Sequence, residues 1–282
     1  MKYQAPFDFA ALLEFFARRA IPGIEIIDAD SYSRCFALNG DVGSLRVAQA
    51  TRAHALELSV DFPDHAQLHE IETRVRRMFD VDADIGAIYT RLSRKPPLRR
   101  QVARNPGQRV PGAWDGFEIA VRAVLGQQVS VAAARTLCAR LVQQFGALGK
   151  FAQNEEIHLF PNPVDLLDAD LTAIGVTRAR AQTLREMARA ICDGRVDFND
   201  EQPLEQFVER WTALPGIGPW TAHYIAMRAL RHADAFPAAD LVLRKAASRN
   251  GSPLTTAKLQ ALAEDWRPYR AYAVLHLWRS VG

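Results

Sequence analysis

Cysteine is scarce in this chain and never clustered: Cys35, Cys138 and Cys192 lie far apart among 282 residues. No pair has metal-ligand spacing and no four-cysteine run can hold an iron–sulfur cluster, so all three are read as buried, reduced thiols. Long apolar runs are missing as well. Nothing approaches the ~20 residues that span a bilayer, and the N-terminus lacks the basic-then-apolar pattern of a secretion signal. These absences point to a cytoplasmic protein. Charge of one sign is also in short supply, since 35 Lys+Arg against 32 Asp+Glu leave a net charge of +3 and a pI near 8.9. A balance that small permits nucleic-acid binding without demanding it, so the clustering of basic residues matters more than their total. What remains is an ordinary soluble composition, long enough for a large core in two or three small domains.

Asp8 can cap a first helix whose stripe runs through Phe9, Leu12, Leu13, Phe16 and Ala20, with Pro22-Gly23 as its stop. Phe15 falls off that stripe, and Arg19 lies one turn on beside it. Two readings stand: a lone surface phenylalanine, or a second contact surface facing another domain or a ligand. Short β-like runs follow around 24–27, 32–38, 44–48 and 55–60, with Asn39-Gly40 as a turn. A helix over 65–79 then turns Leu68, Ile71, Val75 and Phe79 inward. The first block, residues 1–90, reads as an α+β domain with an antiparallel sheet.

Between Arg91 and Arg109 the chain carries Arg94, Lys95, Arg99, Arg100 and Arg104 among Pro96, Pro97, Pro106 and Gly107. Such a stretch is either a solvated linker or a nonspecific DNA contact. After Pro111-Gly112 the pattern is helical almost to the end. One helix carries Phe117, Ala120, Val121 and Val124; Ser130 caps the next, and Gln127-Gln128-Val129 form the tip between them. Thr177 caps a long helix over 178–192, and a last helix starts near Pro268.

The most informative stretch is Leu214-Pro215-Gly216-Ile217-Gly218-Pro219-Trp220-Thr221-Ala222. An apolar helical stripe (Leu204, Phe207, Val208, Trp211, Leu214) stops at Pro215-Gly216. Gly218 permits a second bend, and Pro219 suits the first turn of a new helix. Two helices joined by a Gly-x-Gly turn present free backbone N–H groups beside a positive helix end, which is a phosphate seat. Asp240 follows Gly218 by 22 residues, after Ala235-Phe236-Pro237-Ala238-Ala239. It can cap the helix beginning Leu241-Val242-Leu243, and that role is compatible with catalysis.

This string, with its trailing aspartate, closely resembles the helix-hairpin-helix (HhH-GPD) DNA glycosylases, and nearly the whole chain is similar to their bacterial 3-methyladenine DNA glycosylase II (AlkA-type) branch. Pro6-Phe7-Asp8, residues 117–130, the hairpin and Trp266-Arg267-Pro268-Tyr269-Arg270-Ala271-Tyr272 through Trp278 carry that likeness. It implies a mainly α architecture behind the N-terminal α+β domain. A helical domain of 116–232 would hold the hairpin, a discontinuous one of 91–115 plus 233–282 would hold the aspartate, and the active-site cleft would lie between them. It further implies base flipping and monofunctional hydrolysis of the N-glycosidic bond of alkylated bases (the 3-methyladenine and 7-methylguanine class) in base excision repair. Asp240 would stabilise the positive charge built on the sugar.

By the same resemblance, the base pocket would use Trp278, Trp220, Tyr224 and Phe15 with Arg19, cation–π contact favouring cationic purines. Core packing competes for each aromatic. Strand-cleaving relatives carry a lysine where Trp220 stands, so no lyase activity is expected. Leu214, Gly216, Ile217, Gly218, Thr221, Gln127 and Gln128 would meet DNA, Gln128 replacing the leucine wedge of the family. Leu241 replaces a pocket tyrosine. No cofactor is required, although the Leu214 and Ile217 carbonyls match the family's Na⁺ or K⁺ site. The expected protein is a monomer whose partner is duplex DNA containing damaged bases, and which associates with the nucleoid through that DNA. Two alternatives stay open: a noncatalytic structure-specific duplex-DNA binder, and a glycosylase for deaminated or etheno bases.

Overall fold

Asp8 caps the first helix: its side chain accepts the Ala11 N–H, and α1 runs Phe9–Ala17 with Phe9, Leu12, Leu13 and Phe16 buried. In the computed structural model, which describes residues 1–51, 54–151, 155–248 and 252–281, α1 packs on a four-stranded antiparallel meander. Its strands are β1 (Glu25–Ile27), β2 (Ser31–Leu38), β3 (Asp41–Gln49) and β4 (Leu56–Asp61). The Leu38↔Asp41 pair closes a two-residue hairpin at Asn39-Gly40, both with positive φ (53° and 93°), as the tight primed turn requires. The helix after the sheet begins as a 3₁₀ turn and continues as α2 (Leu68–Met78). Ile71, Val75 and Phe79 face the core, whereas Leu68 is exposed, contrary to its expected inward position. Phe9, Phe16, Tyr32 and Phe79 form the aromatic centre of this core.

The basic stretch is less of a linker than its composition suggests. It follows α3 (Ile85–Leu92) and contains α4 (Leu98–Arg104), whose buried Leu98 and Val102 anchor it beside the C-terminal helix. Arg109 is fully buried and donates to the carbonyls of Ala83, Gln4 and Pro6, so it is a structural tie rather than a DNA contact. The remaining helices are α5 (Gly116–Leu125), α6 (Val131–Phe145), α7 (Arg178–Cys192), α8 (Leu204–Thr212), α9 (Pro219–Ala229), α10 (Leu241–Ala246), α11 (Thr256–Ala263) and α12 (Arg270–Arg279). A short antiparallel pair, β5 (Leu148–Phe151) and β6 (Glu155–His158), lies within the part expected to be helical almost to the end. Cys138 is buried, but Cys192 is exposed at the end of α7; all three thiols are free. No helix among the described residues is long and apolar enough to cross a membrane.

A charged seam joins the sheet to the helical part. Arg34 on β2 bonds Glu118 on α5 (2.9 Å), and Arg122 bonds both Glu118 and Glu25 (2.6 Å each). Burial would raise the Glu118 carboxyl, yet the flanking Arg34 and Arg122 outweigh it and hold it at about 2. Arg122 also donates to the Arg19 carbonyl at 2.7 Å, which ties the segment after α1 to the helix that leads to the Gln127–Gln128 tip.

Candidate active site

Asp240 is the N-cap of α10, its Oδ1 accepting the Leu243 N–H at 2.9 Å. The same carboxylate accepts two indole N–H groups: Trp220 Nε1 on Oδ2 at 2.8 Å and Trp278 Nε1 on Oδ1 at 3.3 Å. Three donors converge on one half-buried carboxylate, an arrangement that solvates negative charge without water. Tyr224 stacks on Trp220 (5.3 Å between centroids, 12° between planes) and lies 6.4 Å from Trp278. Trp220 and Tyr224 meet because they are four residues apart on α9, while Trp278 arrives from α12. All three residues are half-buried, and Tyr224 and Trp278 also pack against the helical core.

Phe15 and Arg19 join this group from the N-terminal block. The Arg19 guanidinium lies 3.7 Å from the Phe15 centroid, and its Nη1 donates to the Phe15 carbonyl. Arg228, which the sequence reading missed, completes the wall. It donates to the Tyr224 hydroxyl at 2.8 Å and to the carbonyls of Pro111 and Gly112. Its position four residues after Tyr224 on the same helix face was the available signal. Burial pushes the Tyr224 hydroxyl up, but Arg228 and Arg19 beside it dominate and lower it overall. Leu241 follows Asp240 at the first position of α10 and is 52% exposed.

The loop before Asp240 is held by its own hydrogen bonds. The Phe236 N–H donates to His223 Nδ1, the Asp234 N–H to His232 Nδ1, and the Asp240 N–H to the Pro237 carbonyl. His223 can accept because burial and the nearby Arg270 charge push its imidazole down to about 4, leaving it neutral. Asp234 is in turn gripped by Arg267 and Arg270.

At the hairpin, α8 ends and α9 begins with Gly218 as N-cap and Pro219 at the first turn. Gly216 has φ +82°, and a Cβ there would sit 2.0 Å from Thr183 Oγ1, so this turn needs glycine. Gly218 is different. Its φ of −93° suits any residue, so it makes no second special bend, and a Cβ there would meet nothing within 4 Å. Gly216 and Gly218 are exposed, and their N–H groups have no protein acceptor among the described residues. Leu214 and Ile217 are buried, and the Leu214 carbonyl accepts the Ile217 N–H at 3.1 Å.

The tip is tied to the hairpin. Gln127 Nε2 donates to the Gly216 carbonyl and to Thr221 Oγ1, both at 3.0 Å, while Arg180 donates to the Gln127 carbonyl at 2.7 Å. Thr221 is buried, so its hydroxyl serves this junction. Gln128 is exposed with φ +56°, held out from the surface in a left-handed conformation.

A helical hairpin whose exposed Gly216 and Gly218 N–H groups have no protein acceptor among the described residues, beside a carboxylate boxed in by aromatic rings, has the build of the helix-hairpin-helix class. Residues 1–115 match the AlkA N-terminal domain, and residues 121–269 match the HhH-GPD superfamily base excision DNA repair protein family. The chain belongs to the HhH-GPD superfamily, within its AlkA-type branch. It is 32% identical over 285 residues to DNA-3-methyladenine glycosylase 2 of Escherichia coli, covering 100% of this chain and 97% of that protein. It is 37% identical over 278 residues to the probable bifunctional transcriptional activator/DNA repair enzyme AlkA of Mycobacterium tuberculosis, covering 99% of this chain but only 56% of that protein. The chain thus spans about half the length of that relative. In fold it is similar to the 3-methyladenine DNA-glycosylase from Archaeoglobus fulgidus, with a TM-score of 0.83 at 20% identity, over 99% and 96% of the two chains.

Proposed function

We propose that this protein is a monofunctional DNA glycosylase that flips an alkylated base out of duplex DNA and hydrolyses its N-glycosidic bond, in base excision repair. The observation that carries this reading is the Asp240 carboxylate with three N–H donors at the centre of Trp220, Tyr224 and Trp278. As the base departs, positive charge builds on the sugar. A fixed carboxylate stabilises that charge better than water, because its dipolar surroundings need no rearrangement. Cationic N3- and N7-alkylpurines need little help to leave, and the indole faces attract them. Trp220 offers no amine for a Schiff base, which favours water as nucleophile and an abasic product.

DNA would be held through the Gly216 and Gly218 N–H groups, with Gln128 filling the gap left by the flipped base. The Leu214 and Ile217 carbonyls are hard oxygen donors, and Leu214 keeps a lone pair after accepting the Ile217 N–H. That donor set suits Na⁺ or K⁺, which would sit beside the phosphate and add positive charge there. The protein would act as a monomer on damaged duplex DNA.

The decisive test is single-turnover release from duplexes carrying 7-methylguanine or 3-methyladenine. Asp240→Asn should slow release by about 10³-fold or more while duplex binding persists. If both proteins hold DNA and neither releases a base, a noncatalytic binder is the better description. Hairpin binding should also weaken steeply from 50 to 200 mM salt, independent of sequence; a salt-insensitive affinity would remove the phosphate-seat role.

A further inference from the structure

From Ile85 to Trp114 the chain has no acidic residue, yet it carries six arginines and one lysine there. Elsewhere 28 Lys+Arg face 32 Asp+Glu, so this one segment turns a net charge of −4 into +3. Three of its seven cations have structural work. Arg91 donates to the Arg267 carbonyl, Lys95 pairs with Asp265, and Arg109 is the buried tie. The side chains of Arg94, Arg99, Arg100 and Arg104 are exposed and have no partner among the described residues. By contrast, exposed Arg18, Arg46, Arg189 and Arg195 each pair with a carboxylate. Arg100 and Arg104 also stand one turn apart on α4, a like-charge spacing that costs helix stability. Nothing inside the protein repays that crowding.

α4 gives these groups a fixed mount, since Leu98 and Val102 are buried one turn apart and Arg99, Arg100 and Arg104 occupy the other face. Pro96, Pro97, Arg99, Arg100 and Ala103 line a concavity of about 320 Å³. α4 packs on α12, and α12 packs on α10, the helix capped by Asp240. At helix spacings of about 8–10 Å, the α4 axis lies within about 20 Å of the α10 axis. We propose that Arg99, Arg100 and Arg104 form a second duplex-DNA site outside the lesion cleft, gripping the phosphate backbone that flanks the damaged base. The inference rests on the duplex-DNA reading above. A duplex carries one charge per roughly 1.7 Å of its axis, so on the order of ten phosphates lie within that reach. The guanidinium fork matches a pair of phosphate oxygens, and a concave cluster of forks suits a backbone that curves past it. A protein or membrane partner would need an apolar anchor as well, and no large hydrophobic side chain is exposed anywhere from 85 to 114. Phosphate contacts carry no sequence information, so the site holds undamaged flanks as well as damaged ones and delays escape of the DNA while bases are tested at the cleft.

Fluorescence anisotropy on an undamaged duplex of about 30 base pairs, between about 50 and 200 mM salt, tests the site. The double variant Arg99→Gln, Arg100→Gln should make the slope of log affinity against log salt shallower by about 1–2. Arg99→Lys with Arg100→Lys, which keeps the charge, should retain the wild-type slope. Single-turnover release of 7-methylguanine at saturating enzyme should be the same in the glutamine variant as in wild type, because neither side chain reaches the cleft. An unaltered slope in the glutamine variant overturns the proposal, and base release by the wild type would then leave the glycosidic reading standing. Equal loss in the lysine variant overturns it too, since charge would not be what binds. Slower release at saturation would place these residues in the cleft or the fold and likewise overturn it. A shallower slope in a protein that releases no base would sustain the site and remove the glycosidic reading. A wild type that does not bind duplex DNA would remove both.

Discussion

In the proposed reaction Asp240 depends on its neighbours rather than on burial. Two of its three donors are indole N–H groups brought by α9 and α12, so the rings that line the box also orient the carboxylate. Trp220→Phe separates the two jobs. It preserves an aromatic face on Tyr224 but leaves Oδ2 without its donor, and a hydrogen bond to a charged group contributes about 1.5–3 kcal/mol. Single-turnover base release should therefore fall about 10- to 100-fold with duplex affinity little changed; a variant as fast as wild type would show that the indole N–H is dispensable. At this scale the sequence was informative wherever a motif fixed the spacing, as with Asp240, Trp220 and Tyr224. It offered only the i, i+4 spacing from Tyr224 for Arg228, too weak to single it out because an arginine on a helix is usually a solvated one, and the Pro111 and Gly112 carbonyls reveal its burial.

Among the elements, the hairpin separates two glycines that look alike in sequence. Gly216→Ala forces a Cβ into Thr183 at positive φ and should destabilise the fold by roughly 2–4 kcal/mol, measurable by denaturant unfolding. Gly218→Ala meets no protein atom and should leave stability within about 0.5 kcal/mol. Its added methyl stands at the proposed phosphate seat, so DNA affinity should drop several-fold; unaltered affinity would mean that the backbone there does not approach DNA. Gln127 shows the same lesson for the tip. The sequence placed it at a DNA-facing turn, whereas the fold spends its amide on Gly216 and Thr221, coupling tip to hairpin. The basic stretch changed more: periodicity hidden by prolines and arginines conceals α4, and Arg109 is an internal tie.

Across the whole molecule, buried ionisable groups predict an acid-sensitive fold. His276 is fully buried beside Tyr89, and neither ring nitrogen has a partner among the described residues; burial, with Arg279 adding to it, pushes its imidazole down to about 4. The folded form therefore binds fewer protons than the unfolded chain between about 4 and 6.5. The resulting stabilisation is complete above 6.5 and fades as pH falls toward 4. Glu118 extends the loss, since its contribution is present above about 4.5 and disappears as pH falls toward 2. His276→Leu should retain or raise stability at pH 7, because no hydrogen bond is lost, and should flatten the slope between pH 6.5 and 4. An unchanged slope in urea melts would assign the acid sensitivity elsewhere.

The sequence by itself determined the α1 stripe and its cap, the Asn39-Gly40 turn, the helix over 178–192 and the hairpin with its trailing aspartate. Each is written in local periodicity or in residues whose backbone preferences act within a few positions. Only the tertiary structure decided that Phe15 and Arg19, some 200 residues upstream, stand with Arg228 beside Tyr224, that both indoles turn their N–H groups onto Asp240, and that Arg228 spends its guanidinium on Tyr224, Pro111 and Gly112. Those facts depend on how the Arg34–Glu118–Arg122 seam docks the sheet on α5 and how α12 packs back toward α10. Contacts between distant segments follow from the joint packing of many side chains, and no short window of sequence records them.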